Sequence, residues 1–544
     1  MSVTIHNNIV SGPAEEYIPA HLSFGQFFYD QLKKGGDGIG LICAESGLSI
    51  TYREILQKSV NLAEALKRLG LKKGDVVALS SENRFEFIIT VIAIIFNGAV
   101  LSPINITYSI GEMKHIMDIS KPRFIFTSPV TAQNILECSS ELLCVEKLIL
   151  FGDYQVIPAM MYQELVNHHM NVDDFTLADV NGVEDTLAVM CSSGTTGLPK
   201  GVMLTHVNFL TLARHMKYYL ETSHKKKKKP VKMYMSLIPW FHAYGFITTL
   251  AVMSLHIEIV FLVRFEETQF LETIQKYKVN MVTLVPPLVT FLAKHPLVPK
   301  YDLTSLSEVW CGSAPLSGEI QTAVSKRIGI DFVKQGYGLT EVTMACCVDL
   351  TSGGKTGSCG TPAPGMKIKV LDLETGEKLS AGREGELWIK SPLRMKGYMG
   401  ERDRAAGEAL RDADGYTRTG DVGRYDADGY FYIVDRLKEL IKYKGFQVPP
   451  AELEALLLQH PGVAECGVVG APDEAAGELP TAFVVRQPRS DVTQQELVDY
   501  IASKVSPAKR LRGGVIFVEQ IPKNASGKIL RRELRQLLKS RSKL

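Results

Sequence analysis

The sequence predicts an α/β protein: a large N-terminal domain built on two α/β sheets with a β-rich subdomain, followed by a small C-terminal α+β domain. Three observations lead there. From Leu41 to Val263 short apolar runs alternate with amphipathic stretches, the rhythm of βαβ units around a mainly parallel sheet. After Gly353 the texture changes to frequent glycines and short alternating strands, and beyond Arg436 a compact segment mixes helices with strands. At 544 residues the chain is also too long for a single hydrophobic core, so division into domains is expected.

In chain order, the first portion reads as a strand at Val76 to Ser80, a helix at Phe85 to Phe96, and strands at Arg123 to Thr127 and Lys147 to Phe151. Met281 to Val285, Glu308 to Cys311 and Asp331 to Lys334 resume the strand pattern, each followed by glycine, proline or a helical stretch. The β-rich part contributes Met366 to Leu371, Gly385 to Lys390 and Gly429 to Val434. The last segment reads as a helix at Pro450 to Gln459, a strand at Ala464 to Gly470, a helix at Thr493 to Val505, a strand at Gly514 to Glu519 and a basic terminal helix. The apolar run Phe87 to Phe96 is about half the length that spans a bilayer. The longer stretch Phe246 to Val263 carries His256 and Glu258, which suits a core helix followed by a strand, so no transmembrane segment is expected.

Composition narrows the function. A charge balance of 61 basic and 59 acidic residues leaves +2, too little to draw the whole protein to nucleic acid or an anionic membrane. Nine scattered cysteines lack paired metal-ligand spacing, which suits reduced thiols, with neither disulfides nor zinc. MSVTIHNNIV lacks the basic and apolar regions of a secretory leader. The run Lys225 to Lys229 reads as an exposed loop, with an anionic docking patch as the alternative. Ser542, Lys543 and Leu544 form the tripeptide SKL, an address read by the peroxisomal import receptor, so the expected location is the peroxisome.

Chemistry concentrates first at Thr186 to Gly201, TLAVMCSSGTTGLPKG, where an apolar run passes into hydroxyl residues, glycines and a lysine. Such a loop offers unblocked N–H groups, hydroxyl donors and a cation, a combination that suits a polyphosphate. The Walker spacing is missing, because Pro199 precedes Lys200. A Ser/Thr/Gly loop alone is equally a surface turn.

SSGTTGLPKGV at Ser192 to Val202 resembles the signature of the adenylate-forming superfamily. Further motifs follow in the family's order: PWFHAYGF at Pro239, GSAPLS at Gly312, QGYGLTE at Gln335, TGD at Thr419, VDRLKELIKYKGFQV at Val434 and PKNASGKILRREL at Pro522. The resemblance covers nearly the whole chain, and within the superfamily it is nearest the coumarate-CoA ligases and the insect luciferase-like acyl-CoA synthetases. It implies a large domain at 1–437, with its β-rich part at about 353–437, and a mobile small domain at 438–544. It also implies ATP, Mg2+ and coenzyme A as co-substrates and cofactor, and a two-step reaction. A small-molecule carboxylic acid first forms acyl-AMP, and the thiol of coenzyme A then displaces AMP.

The resemblance assigns roles residue by residue. Ser192, Ser193, Gly194, Thr195, Thr196 and Lys200 would hold phosphates. Gln335, Gly336 and Tyr337 would form the adenine platform, with core packing the alternative for Tyr337, and Gly312 would also bind ATP or AMP. Asp421 would accept the ribose hydroxyls from a strand end, and Arg436 would support ribose or phosphate; alone, an Asp in TGD is more often a turn residue. Thr340 would donate to the α-phosphate and Glu341 would hold magnesium, though this pair also fits helix capping. Lys528 would neutralise the transferring oxygens, where the residue alone reads as one more surface lysine. His242 and Tyr244 would line the acyl pocket with Met344 and Ala345; a lone histidine there is more often satisfied core. Lys438, beside Glu439, would be the hinge. Lys442 and Gln447 would face the nucleotide after rotation, and Arg264, Lys444 and Gly445 would serve coenzyme A.

A luciferase-type monooxygenase acting on a luciferyl adenylate is the alternative activity. Beetle luciferases carry a His-His pair where this chain has Phe241-His242, and an arginine where it has Leu212, with Arg214 out of alignment; both departures favour a ligase. A nucleotide binder without turnover, or an enzyme that loads a carrier protein, is a further class, against which Glu341, Lys528 and Arg264 stand. Trp310 either narrows the pocket floor or packs outside it. Met344 and Ala345 suggest a flexible apolar wall, which favours a medium or long fatty acid over a hydroxycinnamate-like acid.

Overall fold

The computed structural model describes residues 3–192, 199–226, 231–349, 354–400, 405, 407–524 and 527–541, with the backbone alone for 223–226 and 541. The side chains of Lys225 to Lys229 and the tripeptide Ser542 to Leu544 lie outside the described residues.

Among the described residues the strands form four sheets. In a nine-stranded sheet, Val333–Tyr337, Glu308–Cys311, Met281–Leu284, Met233–Ser236, Glu258–Phe261 and Ile39–Cys43 run parallel in that order. An eight-stranded sheet has a parallel centre of Thr186–Ser192, Val100–Pro103, Val76–Ser80, Phe124–Thr127 and Lys147–Leu150. Helix Phe85–Phe96, FEFIITVIAIIF, is apolar on every side, and residues 87–96 are all buried. It shares one core with Leu41 and Phe261 of the first sheet and Val77 and Leu79 of the second, as a helix without a polar face must. The neighbouring helix Tyr52–Arg68 starts on a capping box, in which Thr51 accepts from the Glu54 N–H and Glu54 from the Thr51 N–H, so two orphan donors are satisfied before the chain turns into the core.

A six-stranded antiparallel sheet holds Lys367–Leu371, Gly385–Lys390, Thr417–Tyr425 and Phe431–Arg436, completed by a hairpin of Thr4–His6 and Ile9–Ser11. The final sheet contains Phe446–Val448, Ile441–Tyr443, Gly477–Arg486, Val463–Asp473 and Val515–Phe517. Its alternating residues serve two cores. Val468 faces helices Pro450–Leu457 and Gln494–Ala502, whereas Val469 faces Leu534 of helix Arg531–Arg541.

Many elements went unread in the sequence, two of them in the smaller sheets. The hairpin at Thr4–Ser11 takes its partner some 350 positions away, and strand Gly477–Arg486 opens with GELP, a turn-like start that hides a central strand. The strand expected at Asp331 to Lys334 instead runs Val333–Tyr337, so the Gln-Gly-Tyr segment is itself strand. No helix of the described residues is long and apolar enough to cross a membrane.

Leu453 is fully buried in the core of the five-stranded sheet. Leu453→Ala is expected to cost about 2–5 kcal/mol there. Hydrogen exchange should show protection lost in 463–473 and kept in 186–192.

Candidate active site

The parallel strands of both large sheets end at a common crevice, the place where open α/β sheets present ligand-binding loops. A cavity of about 2080 Å3 occupies it, lined by Ser192, Lys200, His242, Tyr244, Gly312, Gly336, Tyr337, Thr340, Glu341, Met344, Ala345, Asp421, Arg436, Lys438, Lys442 and Lys528. Sites for single small ligands are usually about 300–1,000 Å3, so this cavity has room for a nucleotide together with a second substrate.

Its polar end is built from edges and turns. Ser192 and Lys200 sit opposite one another in the hairpin of Thr186–Ser192 and Lys200–Thr205. The tip of that hairpin, with Ser193, Gly194, Thr195 and Thr196, lies outside the described residues. Lys200 Nζ stands 4.9 Å above the ring of Tyr398, whose hydroxyl donates to Glu341 Oε1 at 2.9 Å. Tyr398 therefore links Lys200 to the expected metal ligand, a contact the sequence reading missed; strand Gly397–Tyr398 pairs with Val202 and Met203, which is what brings it there. Glu341 is the middle residue of the short 3-10 turn Thr340–Val342 and presents a hard oxygen to the cavity, and among the described residues no group of three or more His, Cys, Asp or Glu could cage a metal. That donor set fits a magnesium ion held by one carboxylate and substrate phosphates.

Asp421 is buried in the middle of strand Thr417–Tyr425, beside a register shift, and not at the strand end expected. It pairs in register with Arg436, whose Nε lies 3.5 Å from its Oδ1, and it accepts from the Tyr337 hydroxyl at 2.7 Å. Burial pushes its carboxyl up, while Arg436, Tyr337 and Lys528 pull it back. Tyr337 belongs to the core cluster and also lines the cavity. Gln335 is corrected. It does not line the cavity: its Oε1 accepts from the Leu316 N–H at 3.0 Å, so it shapes the Gly312–Ser317 loop, because alternation along the strand turns it away from the face that Gly336 borders. Gly338 permits the close approach that follows, since a Cβ there would fall 1.3 Å from the Met344 carbonyl oxygen.

The other end is apolar. Leu212, Met216, Tyr219, Tyr244, Trp310 and Met344 line it. Trp310 belongs to the wall, braced edge-on by Tyr219 at 4.6 Å between centroids. The Met344 wall is less free than its residue type suggested: the Thr248 hydroxyl donates to its sulfur at 3.3 Å, and its backbone sits at φ +84°. Tyr244 lies against Gly312, where a Cβ would meet its ring at 3.2 Å. His242 precedes helix Ala243–Met253, and burial pulls its imidazole down to about 4, so it is neutral at physiological pH.

Lys528 enters from the small C-terminal body. Asn524 Oδ1 accepts from the Lys528 N–H and the Asn524 N–H donates to the Lys528 carbonyl, both at 2.9 Å, which closes the loop tightly. Gly527, at φ +74°, lets the loop press against Val285, where a Cβ would come within 2.9 Å of a methyl group. Burial, then the neighbouring cations Arg436, Lys438 and Arg531, pull the Lys528 ammonium down to about 7 against the attraction of Asp421. Lys438 is lowered too, by burial and Arg436.

The remaining candidates are not brought together. Lys444 and Gly445 form a two-residue turn at φ +46° and +81° that joins Ile441–Tyr443 to Phe446–Val448, and Lys442 pairs with Gln447 across it. Lys442 reaches the cavity rim; Gln447, Lys444, Gly445 and Arg264 are exposed and away from it.

Residues 28–399 match the model of the AMP-binding enzyme family, and 452–528 match that of the AMP-binding enzyme C-terminal domain. The chain is 40% identical to a luciferin 4-monooxygenase of Nipponoluciola cruciata over 98% of its length and 97% of the relative's. It is 39% identical to a probable 4-coumarate–CoA ligase of Dictyostelium discoideum, over 87% of this chain and 88% of that one. The ATP-bound MatB of Rhodopseudomonas palustris superposes with a TM-score of 0.83 at 26% identity, covering 95% of this chain and 99% of MatB. This chain belongs to the AMP-binding, adenylate-forming enzyme family.

The lowered Lys528 has a measurable consequence. Phosphates favour its ammonium form, so ATP binding at about pH 8, where the free group is mostly neutral, is expected to take up about one proton. Near pH 6 the group is already charged and the uptake should vanish. Calorimetry in buffers of different ionisation enthalpy, with Lys528→Met as the baseline that removes ATP's own protonation, reads the difference.

Proposed function

We propose that this protein is an acyl-CoA synthetase that forms AMP, joining a carboxylic acid to coenzyme A at the expense of ATP. The observation that carries the reading is the meeting of Lys528, Asp421 and Arg436 in a cavity that is also lined by the apolar side chains Leu212, Met216, Trp310 and Met344. An acid held with its tail among Leu212, Met216 and Trp310 would present its carboxylate toward Lys528. A carboxylate oxygen then attacks the α-phosphorus of ATP and pyrophosphate leaves. Negative charge gathers on the transferring oxygens, where Lys528 and the Thr340 hydroxyl can offset it. Asp421 would accept from the ribose hydroxyls. Magnesium at Glu341 would neutralise phosphate charge. In the second step the thiol sulfur of coenzyme A attacks the acyl carbonyl, its proton is lost and AMP departs.

Arg264, Lys444, Gly445 and Gln447, remote from the cavity in this arrangement, are assigned to that second step, after rotation about Lys438. The apolar wall supports a fatty acid ahead of a hydroxyaromatic acid. Peroxisomal placement through Ser542-Lys543-Leu544 is part of the proposal.

The luciferase-type reading is favoured by the 40% identity to a luciferin 4-monooxygenase. Against it, Leu212 stands in the cavity wall and Phe241 is buried outside it, neither offering a polar group to an oxidised ring.

Incubation with magnesium, ATP and a panel of fatty and aromatic acids, with luciferin among them, separates these readings. Thioester that requires coenzyme A and disappears under multiple turnover in Lys528→Ala is the expected result. Light from luciferin with no thioester from any acid would replace the ligase by the monooxygenase, and absence of pyrophosphate from every acid would overturn both.

A further inference from the structure

The small body carries Lys528, so whatever fixes that body on the large one sets how far the lysine reaches. Beside the Lys294 contact to the Leu458 carbonyl and the Gly527 contact to Val285, one buried side chain of the large body outside the cavity meets the small body. Asp435 belongs to strand Phe431–Arg436 of the six-stranded sheet and is only 6% exposed. Its Oδ1 accepts from the Arg436 N–H at 2.7 Å, and its Oδ2 accepts from the Ala451 N–H at 2.9 Å. Ala451 lies in the first turn of helix Pro450–Leu457, in the other body. Pro449 at the N-cap offers no side-chain acceptor, so that helix takes its cap from across the seam.

The helix passes the constraint on. Glu454, one turn along, is buried, and both its oxygens accept from Arg531 Nη2 at 2.8 Å, while its Oε1 also accepts from the Val468 N–H at 2.8 Å. Arg531 is as buried as Glu454, opens helix Arg531–Arg541 and stands three positions beyond Lys528. The charged groups around Asp435 are thus Arg531 and Glu454 from the small body, and Arg436 and Glu439 on its own chain segment. Asp435 thus holds the first turn of the helix that carries Glu454, and Glu454 holds Arg531, three chain positions beyond Lys528.

We propose that Asp435 is a positioning residue for the adenylation step, which caps helix Pro450–Leu457 from the opposite body and thereby holds Lys528 in the cavity. The proposal rests on the ligase reading for its activity test and on geometry alone for its structural one. A carboxylate that merely stabilised the fold would affect both half-reactions alike. One that sets this orientation matters only when Lys528 must face the nucleotide.

The test compares Asp435→Ala, which removes the acceptor, with Asp435→Asn, which keeps an acceptor oxygen. In Asp435→Ala, pyrophosphate release with the acid identified above is expected to fall at least about tenfold, while thioester formation from supplied acyl-AMP and coenzyme A stays within about twofold. Asp435→Asn should recover most of the loss. Independently of turnover, labelling of Lys528 by an amine-acylating reagent, read by peptide mass spectrometry, should be faster in Asp435→Ala than in the unaltered protein and near normal in Asp435→Asn. Should Asp435→Ala fail to fold, Ala451→Pro removes the donor from the other side at a helix position that tolerates proline, and the same separation is expected. Equal loss of both half-reactions, or unchanged Lys528 labelling, would overturn the proposal. An unaltered protein that releases no pyrophosphate from any acid would overturn the ligase reading, and the labelling comparison would still decide the role of Asp435.

Discussion

A cation held where it is not welcome organises this molecule. Lys528 sits among Arg436, Lys438 and Arg531 with Asp421 as its counter-charge, and burial leaves it near the edge of neutrality. Desolvation of that kind is costly unless something else fixes the geometry. The Asn524 loop, the pressed Gly527 and the ion pairs of the terminal helix do so from one side, and the Asp421–Tyr337–Arg436 cluster does so from the other. An anionic ligand would relieve the crowding of these cations.

The two large sheets serve this end by sharing one apolar helix. Because Phe85–Phe96 has no polar face, the sheets cannot separate without exposing it, and the crevice at their strand ends keeps a fixed width. The body beyond Lys438 meets the rest through polar contacts such as Ala451 to Asp435 and through the packed Gly527.

Much of this was legible in the residues. Apolar runs located strands such as Val76–Ser80 and Met281–Leu284 and the helix Phe85–Phe96, because burial on both faces leaves continuous Val, Ile and Phe segments that need no tertiary information. Asp421 and Lys200, singled out by their motifs, line the cavity. What escaped depended on partners distant in sequence. Gln335 belongs to a motif, yet strand alternation turns it away, and neither Tyr398 nor Asp435 stands out until the strand that carries each is paired. Trp310 could be placed only once Tyr219 was seen behind it. Strand Gly477–Arg486 was hidden by a proline and glycine that the sheet accommodates at its start.

The hairpin at Thr4–Ser11 bears on how the chain is made. It completes a sheet whose adjoining strand, Lys367–Leu371, emerges from the ribosome more than 350 residues later. At the usual ~5–20 residues per second, the hairpin waits on the order of half a minute for its partner. Over that interval its Val10 face and open edge are exposed to whatever else is nearby, and the six-stranded sheet, with Asp421 and Arg436 in it, becomes one of the last parts of the protein able to form.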